Sequence, residues 1–372
     1  MHILFLGNGF DLYHGLKTSY LDFLKIIQHL DEFKSDIEFY LNNPKEDDKD
    51  HLFKDYFSEI TEINAESIGK IYSLLYGNIW SIYYGECNAN IQGWIDFENE
   101  MNPVFDLFRN LFFKGVGVNS KDRYLANSTY LAESYKEVAI AKILTMFFED
   151  EGNAIFRIKE DYFDEKYGLL KDKIVEKLEK DLEDFTLAFN IYLRELVELK
   201  QITEYKWIKE LNPSRVISFN YTKTEATYFT DIPVESRAHL HGVTDWNNIV
   251  FGTDLIDDED IEFIHFSKRY QRLVKVGDYS YINFLEDPCD FTDLYTNGVS
   301  DDFVVSFIGC SLDKNDSPIF SEYINKADKI NIYCYGFEGY KNTVGNLISI
   351  FGSKKITEYN RVGKIIFLII LG

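Results

Sequence analysis

The chain has 372 residues, of which 45% are hydrophobic and 16% aromatic, a composition that excludes an intrinsically disordered protein. This length leaves room for about two domains of ordinary size. The formal net charge of −23 disfavours bare nucleic acid and anionic membranes as partners. The apolar runs Ile3–Leu6 and Ile365–Leu371 are too short for a signal peptide or for a membrane helix of ~20 residues. We therefore expect a cytoplasmic protein with a sizeable core and no membrane contact.

The first apolar run, Ile3–Leu6, stops at a glycine-punctuated turn with the sequence GNGFDLYHGL. A strand that runs into Gly-x-Gly and then a helix predicts a nucleotide-phosphate site in an α/β protein. Leu12 stands where the dinucleotide fingerprint has its third glycine, which disfavours a dehydrogenase. Asp11 and His14 are candidate site residues, because such a turn lies at the edge of the sheet where open α/β folds bind ligands.

The middle of the chain is predicted to be mostly helical. No proline lies between Pro103 and Pro213, and apolar residues such as Leu178, Leu182 and Phe185 recur there at helical spacing. We interpret residues 30–212 as a helical insertion domain. Residues 1–29 and 213–372 then form a Rossmann-like nucleotide-binding domain.

Short runs rich in Val, Ile and Phe follow the insertion and predict buried strands of a mainly parallel sheet, with the N-terminal strand as its first member. The predicted fold class is therefore α/β, with a Rossmann-like sheet and a large helical insertion. The later runs are Arg215–Phe219, His239–His241, Ile249–Phe251, Phe303–Ile308 and Ile330–Tyr335.

Polar side chains follow several of these strands, at the edge where parallel strands place their ligands. His239 and His241 alternate along one short run, so only one of them faces the crevice, and the glycine after His241 favours that residue. Opposite facing also disfavours a His-x-His metal site, and the four cysteines form no Cys-x-x-Cys pair, so we expect no metal. The candidates from these strand ends are Asn220, Thr222, Glu225, His241, Gly309, Ser311 and Asp316.

Five strings occur in an order that resembles the AbiH family of bacterial abortive-infection proteins. They are GNGFDLYHGLKTSYLDF at the start, WIDFENE from Trp94, FNYTKTE from Phe219, HLHG from His239, and FIGCSLDKNDSPIF near the end. The resemblance implies a role in defence against phage. Cys310 stands where such chains often carry a histidine, which puts the role of that position in doubt.

The same order is similar, more distantly, to sirtuin-like domains that consume NAD. That similarity implies NAD as substrate, with Asn220 at the nicotinamide ribose and His241 as the base near the ribose hydroxyls. Asp11 stands where sirtuins have a small hydroxyl residue, and it is a third catalytic candidate because an oxocarbenium-like state needs a carboxylate near the anomeric carbon. The scattered cysteines lack the zinc module of sirtuin deacetylases, so hydrolysis is favoured over deacylation. The similarity implies that Gly7, Asn8, Gly9 and Asp11 hold the phosphates and ribose of the nucleotide. Together with the residues of the turns and strand ends, the predicted nucleotide-binding set is Gly7, Asn8, Gly9, Phe10, Asp11, His14, Gly15, Thr222, Gly309 and Ser311.

Two other functions stay open from the sequence. A metal-dependent nuclease or nucleotide hydrolase would hold a divalent ion with some of Asp11, His14, Asp96, Glu98 and His241. A non-enzymatic sensor would bind a nucleotide and signal through the insertion, where Trp94 and Glu98 share a helix face. The expected partners are a small nucleotide, a phage component or second defence protein, and a further copy of the chain.

Overall fold

The computed structural model divides the chain into two compact units. The sheet unit comprises Met1–Ser19, Val197–Val250 and Arg272–Gly372, and the helical unit comprises Tyr20–Leu196 and Phe251–Gln271. The structure describes residues 1–28, 30, 65–88, 100–114, 124–126, 135–150, 155–198, 202–253, 256, 259–275, 282, 284–285, 302–314 and 316–370.

The sheet unit is built on six strands. They are β1 (His2–Leu6), β2 (Arg215–Ser218), β3 (Arg237–His239), β4 (Val304–Ile308), β5 (Lys329–Tyr335) and β6 (Ile365–Ile370). The strands pair in parallel in the order β3-β2-β1-β4-β5-β6. This is the strand order of the doubly wound nucleotide-binding folds, with its reversal between β1 and β4. The predicted α/β class with a Rossmann-like parallel sheet is therefore confirmed.

The side chains of β1 alternate between the two faces of the sheet, and apolar packing on both faces explains why this strand lies at the centre of the sheet. Ile3 and Phe5 pack into a cluster with Phe320 and Tyr323 on one face, and Leu4 and Leu6 pack with other apolar residues on the opposite face. All four side chains are fully buried. A strand buried on both faces is what a near-continuous apolar run dictates.

The helices of the described residues surround this sheet or form the helical unit. Those of the sheet unit follow the strands, as crossovers between parallel strands require. The helices are α1 (Asn8–Tyr13), α2 (Tyr20–Gln28), α3 (Ala65–Leu75), α4 (Ile79–Asn88), α5 (Asn102–Lys114), α6 (Tyr135–Phe147), α7 (Lys171–Tyr192), α8 (Lys206–Lys209), α9 (Lys268–Val274), α10 (Ser317–Lys326), α11 (Gly336–Phe351) and α12 (Ser353–Arg361).

The helical unit has a core of aromatic rings. Phe185 of α7 lies with its ring centroid 5.5 Å from those of Phe23, Tyr84 and Phe251. The unit also carries a three-stranded antiparallel sheet and a two-stranded one. The small strands are Tyr124–Ala126, Phe148–Asp150, Ile155–Ile158, Phe163–Asp164 and Gly168–Leu169. The segment Phe251–Gln271 belongs to this unit, whereas the division made from the sequence placed it with the sheet.

Two strand predictions were wrong. Ile249–Phe251 is not a strand, because the side-chain amide of Gln271 satisfies both backbone groups of Phe251 at 2.9 and 2.8 Å. The third strand covers Arg237–His239 and ends before His241. The sixth strand, Ile365–Ile370, was not predicted as a strand at all.

Candidate functional site

The turns after β1 and β4 meet at the point where the strand order reverses. The Gly7 amide donates to the Ile308 carbonyl and the Gly9 amide to the Gly309 carbonyl, each at 3.0 Å. A Cβ on Gly7 would lie 2.6 Å from the Gly309 oxygen, and one on Gly309 would lie 2.2 Å from the Phe10 nitrogen. The glycines thus allow two backbones to touch, and the amides of Gly7 and Gly9 are paired within the protein.

Asp11 of α1 is buried at this edge of the sheet, with 1% of its surface exposed. Its Oδ2 accepts a hydrogen bond of 2.6 Å from the Thr222 hydroxyl, while Oδ1 is buried without a hydrogen-bond partner in the described part of the chain. Burial raises the pKa of Asp11 to about 7, against the hydroxyls of Thr222 and Thr224, which lower it. A carboxyl group that titrates near neutral pH in such a place is a candidate acid or base.

Asn220 follows β2 and lies beside the first turn. The Phe219 amide donates to the Leu6 carbonyl at 2.9 Å, and the Asn220 amide donates to the Ser218 hydroxyl at 3.1 Å. These bonds fix the backbone next to β1. The Asn220 side chain is buried, and its Oδ1 has no hydrogen-bond partner among the described residues. Two buried acceptors, one on Asp11 and one on Asn220, therefore stand open in the sheet unit.

The residues after Asn220 connect Asp11 to a histidine. Thr222 Oγ1 lies 3.0 Å from Thr224 Oγ1, and the next residue, Glu225, places Oε1 3.2 Å from Nε2 of His239. Burial lowers the pKa of His239, but the hydrogen bond and charge of Glu225 outweigh burial and leave that pKa raised. His239 ends β3, although the glycine after His241 favours His241 as the residue that faces the crevice.

Glu198 is a further carboxyl group that sequence reasoning missed. It accepts hydrogen bonds from the Thr244 hydroxyl at 2.8 Å and from the Lys223 amide at 3.3 Å. Burial is the main reason that its pKa is raised, and its charge in turn raises the pKa of Asp11. No strand end precedes Glu198 in the sequence, so the pattern of polar strand ends could not identify it.

His241 has different neighbours from His239. Its Nε2 lies 3.5 Å from Oδ1 of Asp316, and its ring centroid lies 5.6 Å from that of Phe219 and 6.1 Å from that of Tyr221. The Val250 amide donates to the His241 carbonyl at 2.9 Å. His241 is therefore near the residues that flank Asn220, whereas His239 pairs with Glu225, which follows Thr224 in the sequence.

Three other members of the predicted nucleotide-binding set are bonded or buried within the protein. His14 has its Nδ1 2.7 Å from the Phe10 carbonyl and its Nε2 2.5 Å from the Tyr228 hydroxyl, and burial lowers its pKa. Phe10 is fully buried in the core. Asn8 Oδ1 accepts from the Thr18 hydroxyl at 2.6 Å.

The remaining predicted residues lie on the outside of this edge. Gly15 ends the first turn with a φ of 72°, and its amide donates to the Leu12 carbonyl at 3.0 Å. Ser311 is exposed and donates to Asp313 at 3.0 Å. Cys310, where a histidine is common in the resembling chains, donates to the Ile308 carbonyl at 3.6 Å, and burial raises its pKa.

The structure bears on metal and membrane sites only within the residues that it describes. Those residues contain no cluster of three His, Cys, Asp or Glu side chains that could hold an ion. Trp94, Asp96 and Glu98 lie outside the described residues. None of the described helices combines the length and the apolar character needed to cross a bilayer.

The fold and the site define a doubly wound α/β protein with a buried polar site at the carboxyl edge of its sheet. The profile of the family Bacteriophage abortive infection AbiH matches residues 3–335, and the chain belongs to this family. The family implies a role in abortive infection of phage-infected bacteria. No curated protein and no solved structure matches the chain. The similarity to sirtuin-like domains stays a prediction.

Proposed function

We propose that this AbiH protein hydrolyses NAD at the bond between nicotinamide and ribose. The observation that carries the proposal is a pair of buried acceptors, Asp11 Oδ1 and Asn220 Oδ1, which have no hydrogen-bond partner among the described residues and belong to segments beside the reversal point of a doubly wound sheet. Doubly wound sheets bind nucleotides at that point. Acceptors that lack a partner suit the hydroxyl groups of a ribose, which are donors.

The reaction needs a negative charge near the anomeric carbon, because the transition state resembles an oxocarbenium ion. The bond from C1′ to the pyridinium nitrogen breaks, and its electron pair leaves with neutral nicotinamide. Water forms the new bond to C1′ and loses a proton, which Asp11 accepts. Asn220 holds a ribose hydroxyl, and His241 is the base near the ribose hydroxyls. The products are ADP-ribose, nicotinamide and a proton.

The test measures NAD and nicotinamide by chromatography, with purified protein and in phage-infected cells that express it. Asp11→Asn keeps the size of the side chain and removes the base, so we expect the rate to fall by about 100-fold or more. Asn220→Ala and His241→Ala should abolish turnover as well. His265→Gln is the matched control, because His265 pairs with Glu179 in the helical unit at 3.3 Å and is about 39% exposed.

Three outcomes would contradict the proposal. Infected cells could stop growing while their NAD stays constant, or NAD could bind in calorimetry without turnover. Loss of activity on chelation, together with degradation of nucleic acid, would point to a metal-dependent nuclease. A chelator should leave NAD hydrolysis unchanged.

A further inference from the structure

Among the residues that the structure describes, Glu225 and His239 form the only His–carboxylate pair in which each side chain is less than about one-eighth exposed to solvent. His239 is 12% exposed and Glu225 3%, with Nε2 and Oε1 3.2 Å apart. The other pairs of this kind, His241 with Asp316 and His265 with Glu179, are longer or more exposed. A buried ion pair is costly to desolvate, so its presence here calls for a reason.

Glu225 and His239 each lie next to residues of the proposed site. Glu225 follows Thr224, whose hydroxyl lies 3.0 Å from the Thr222 hydroxyl that donates to Asp11. On the other side, the Asn220 backbone lies close enough to the His239 ring to raise the pKa of that histidine. The pair therefore spans from the residues that hold Asp11 to the backbone that carries the Asn220 amide.

Charge gives the pair a second role. The charged groups that face Asp11 are Glu225 and Glu198, and both are negative. The charged groups that face His239 are Glu225 and Lys223. Without a positive charge on His239, the carboxylate of Glu225 would oppose the ionisation of Asp11 in a low-dielectric environment.

We propose that His239 is a positioning residue of the site. It holds the Asn220 backbone in place, and as an imidazolium it balances Glu225, so that Asp11 carries its negative charge when substrate is bound. This inference rests on the proposed function, because it assigns Asp11 as the base. It gives His239 and Glu225, which do not have to touch the substrate, a defined effect on the reaction.

The experiment compares the wild type, His239→Gln, Glu225→Gln and the double variant, with His265→Gln as the control. The first measurement is the pH dependence of NAD hydrolysis. The acidic limb of the rate profile is the pH range in which the rate falls because Asp11 becomes protonated. His239→Gln, which removes the imidazolium, should move this limb upward by about one pH unit, and Glu225→Gln, which removes the carboxylate, should move it downward. The double variant restores a neutral pair, so its limb should return toward that of the wild type.

The second measurement does not depend on NAD. Because the pKa of Asp11 is raised in the folded protein, its protonated form is favoured there, and stability falls as pH rises from about 4 through about 7. Asp11→Asn should remove the part of this fall that Asp11 contributes and leave the part due to Glu198 and His239, whose pKa values are also raised. In the His239→Gln background the fall should extend to higher pH, as measured by thermal unfolding between pH 4 and 9.

The two measurements separate the two ideas. If the wild type does not hydrolyse NAD, the proposed function fails, and the unfolding curves still decide the role of His239. The inference would be overturned if both single variants kept the wild-type dependence of thermal unfolding on pH and the wild-type pH dependence of NAD hydrolysis. So would a double variant that is impaired as much as His239→Gln, which indicates a structural role alone. Should His239→Gln not fold, Glu225→Gln carries the test, because only the charge model requires a downward shift.

Discussion

At the scale of single residues, Gly309 is a position of the site that has no room for a side chain. It has a φ of 65°, and an added Cβ would lie 2.2 Å from the Phe10 nitrogen and 2.4 Å from the Gly9 carbon. Both are backbone atoms of α1, so no side chain can move to make room. The glycine is required by the contact between two turns, in addition to its backbone angle.

Gly309→Ala should therefore destabilise the protein by more than about 3 kcal/mol in urea unfolding. Gly363→Ala is the matched control, because Gly363 also has a positive φ, 76°, but has nothing within 4 Å of an added Cβ. The control should cost only about 1 kcal/mol, the strain of the left-handed conformation itself. Equal losses in the two variants would show that the turn at Gly309 can open without cost.

Tyr228 acts at the same scale as a link between three segments. Its hydroxyl accepts from the Tyr205 amide at 3.0 Å, lies 2.5 Å from His14 Nε2 and is 3.2 Å from the Thr203 carbonyl. Tyr228→Phe leaves these polar groups without their partner, and the expected loss is about 1–3 kcal/mol. Tyr335→Phe, at a position that is 52% exposed, should change the unfolding midpoint little. A Tyr228→Phe variant as stable as that control would contradict the assignment.

At the scale of secondary-structure elements, the buried strands were readable from composition, but their ends were not. Ile3–Leu6 is apolar at every position, and only the interior of a parallel sheet suits such a run. Ile249–Phe251 has the same composition, and Gln271 prevents it from pairing as a strand. The sixth strand was missed because Ile365–Leu371 was considered only as a membrane segment.

The candidate site was predictable in the same partial way. Asp11 and Asn220 follow strand ends, and this position alone identifies them. The bond between Thr222 and Asp11 joins residues 211 positions apart, and no local pattern can predict it. The pairing of His239 with Glu225 was not predicted either. Which of the two histidines faces inward depends on where the strand ends, and this strand has only three residues, Arg237–His239.

Asp181 shows how a buried carboxylate organises an element of the helical unit. Its Oδ2 accepts from the Ile79 amide at 2.9 Å at the start of α4, and its Oδ1 accepts from Lys177 at 2.7 Å. Asp181→Ala leaves a helix amide without its acceptor, and we expect a loss of about 1–2 kcal/mol in thermal or urea unfolding. Asp164→Ala is the control, because the amides of Lys166 and Tyr167, to which Asp164 is bonded, are exposed. A variant of Asp181 that loses no more than this control would show that α4 does not need the cap.

At the scale of the whole molecule, the chain crosses between its two units four times, after Ser19, Leu196, Val250 and Gln271. The helical unit is thus formed by two insertions in the sheet unit, whereas the sequence analysis predicted a single one, at residues 30–212. The rings of the short insertion pack inside its own unit. Phe266 lies 4.9 Å from Phe105 and 6.2 Å from Trp80, measured between ring centroids.

This arrangement predicts the outcome of two deletions. Replacing residues 20–196 by a flexible linker removes the partners of Phe251 and Phe266 and leaves large apolar rings in water, so the product should aggregate. Removing residues 251–271 as well takes these rings away, and the remaining sheet unit should be recovered in the supernatant with a cooperative unfolding transition. Solubility on expression and binding of a hydrophobic dye measure the difference. Equal behaviour of the two products would contradict the division into units, because the short insertion would then not depend on the long one.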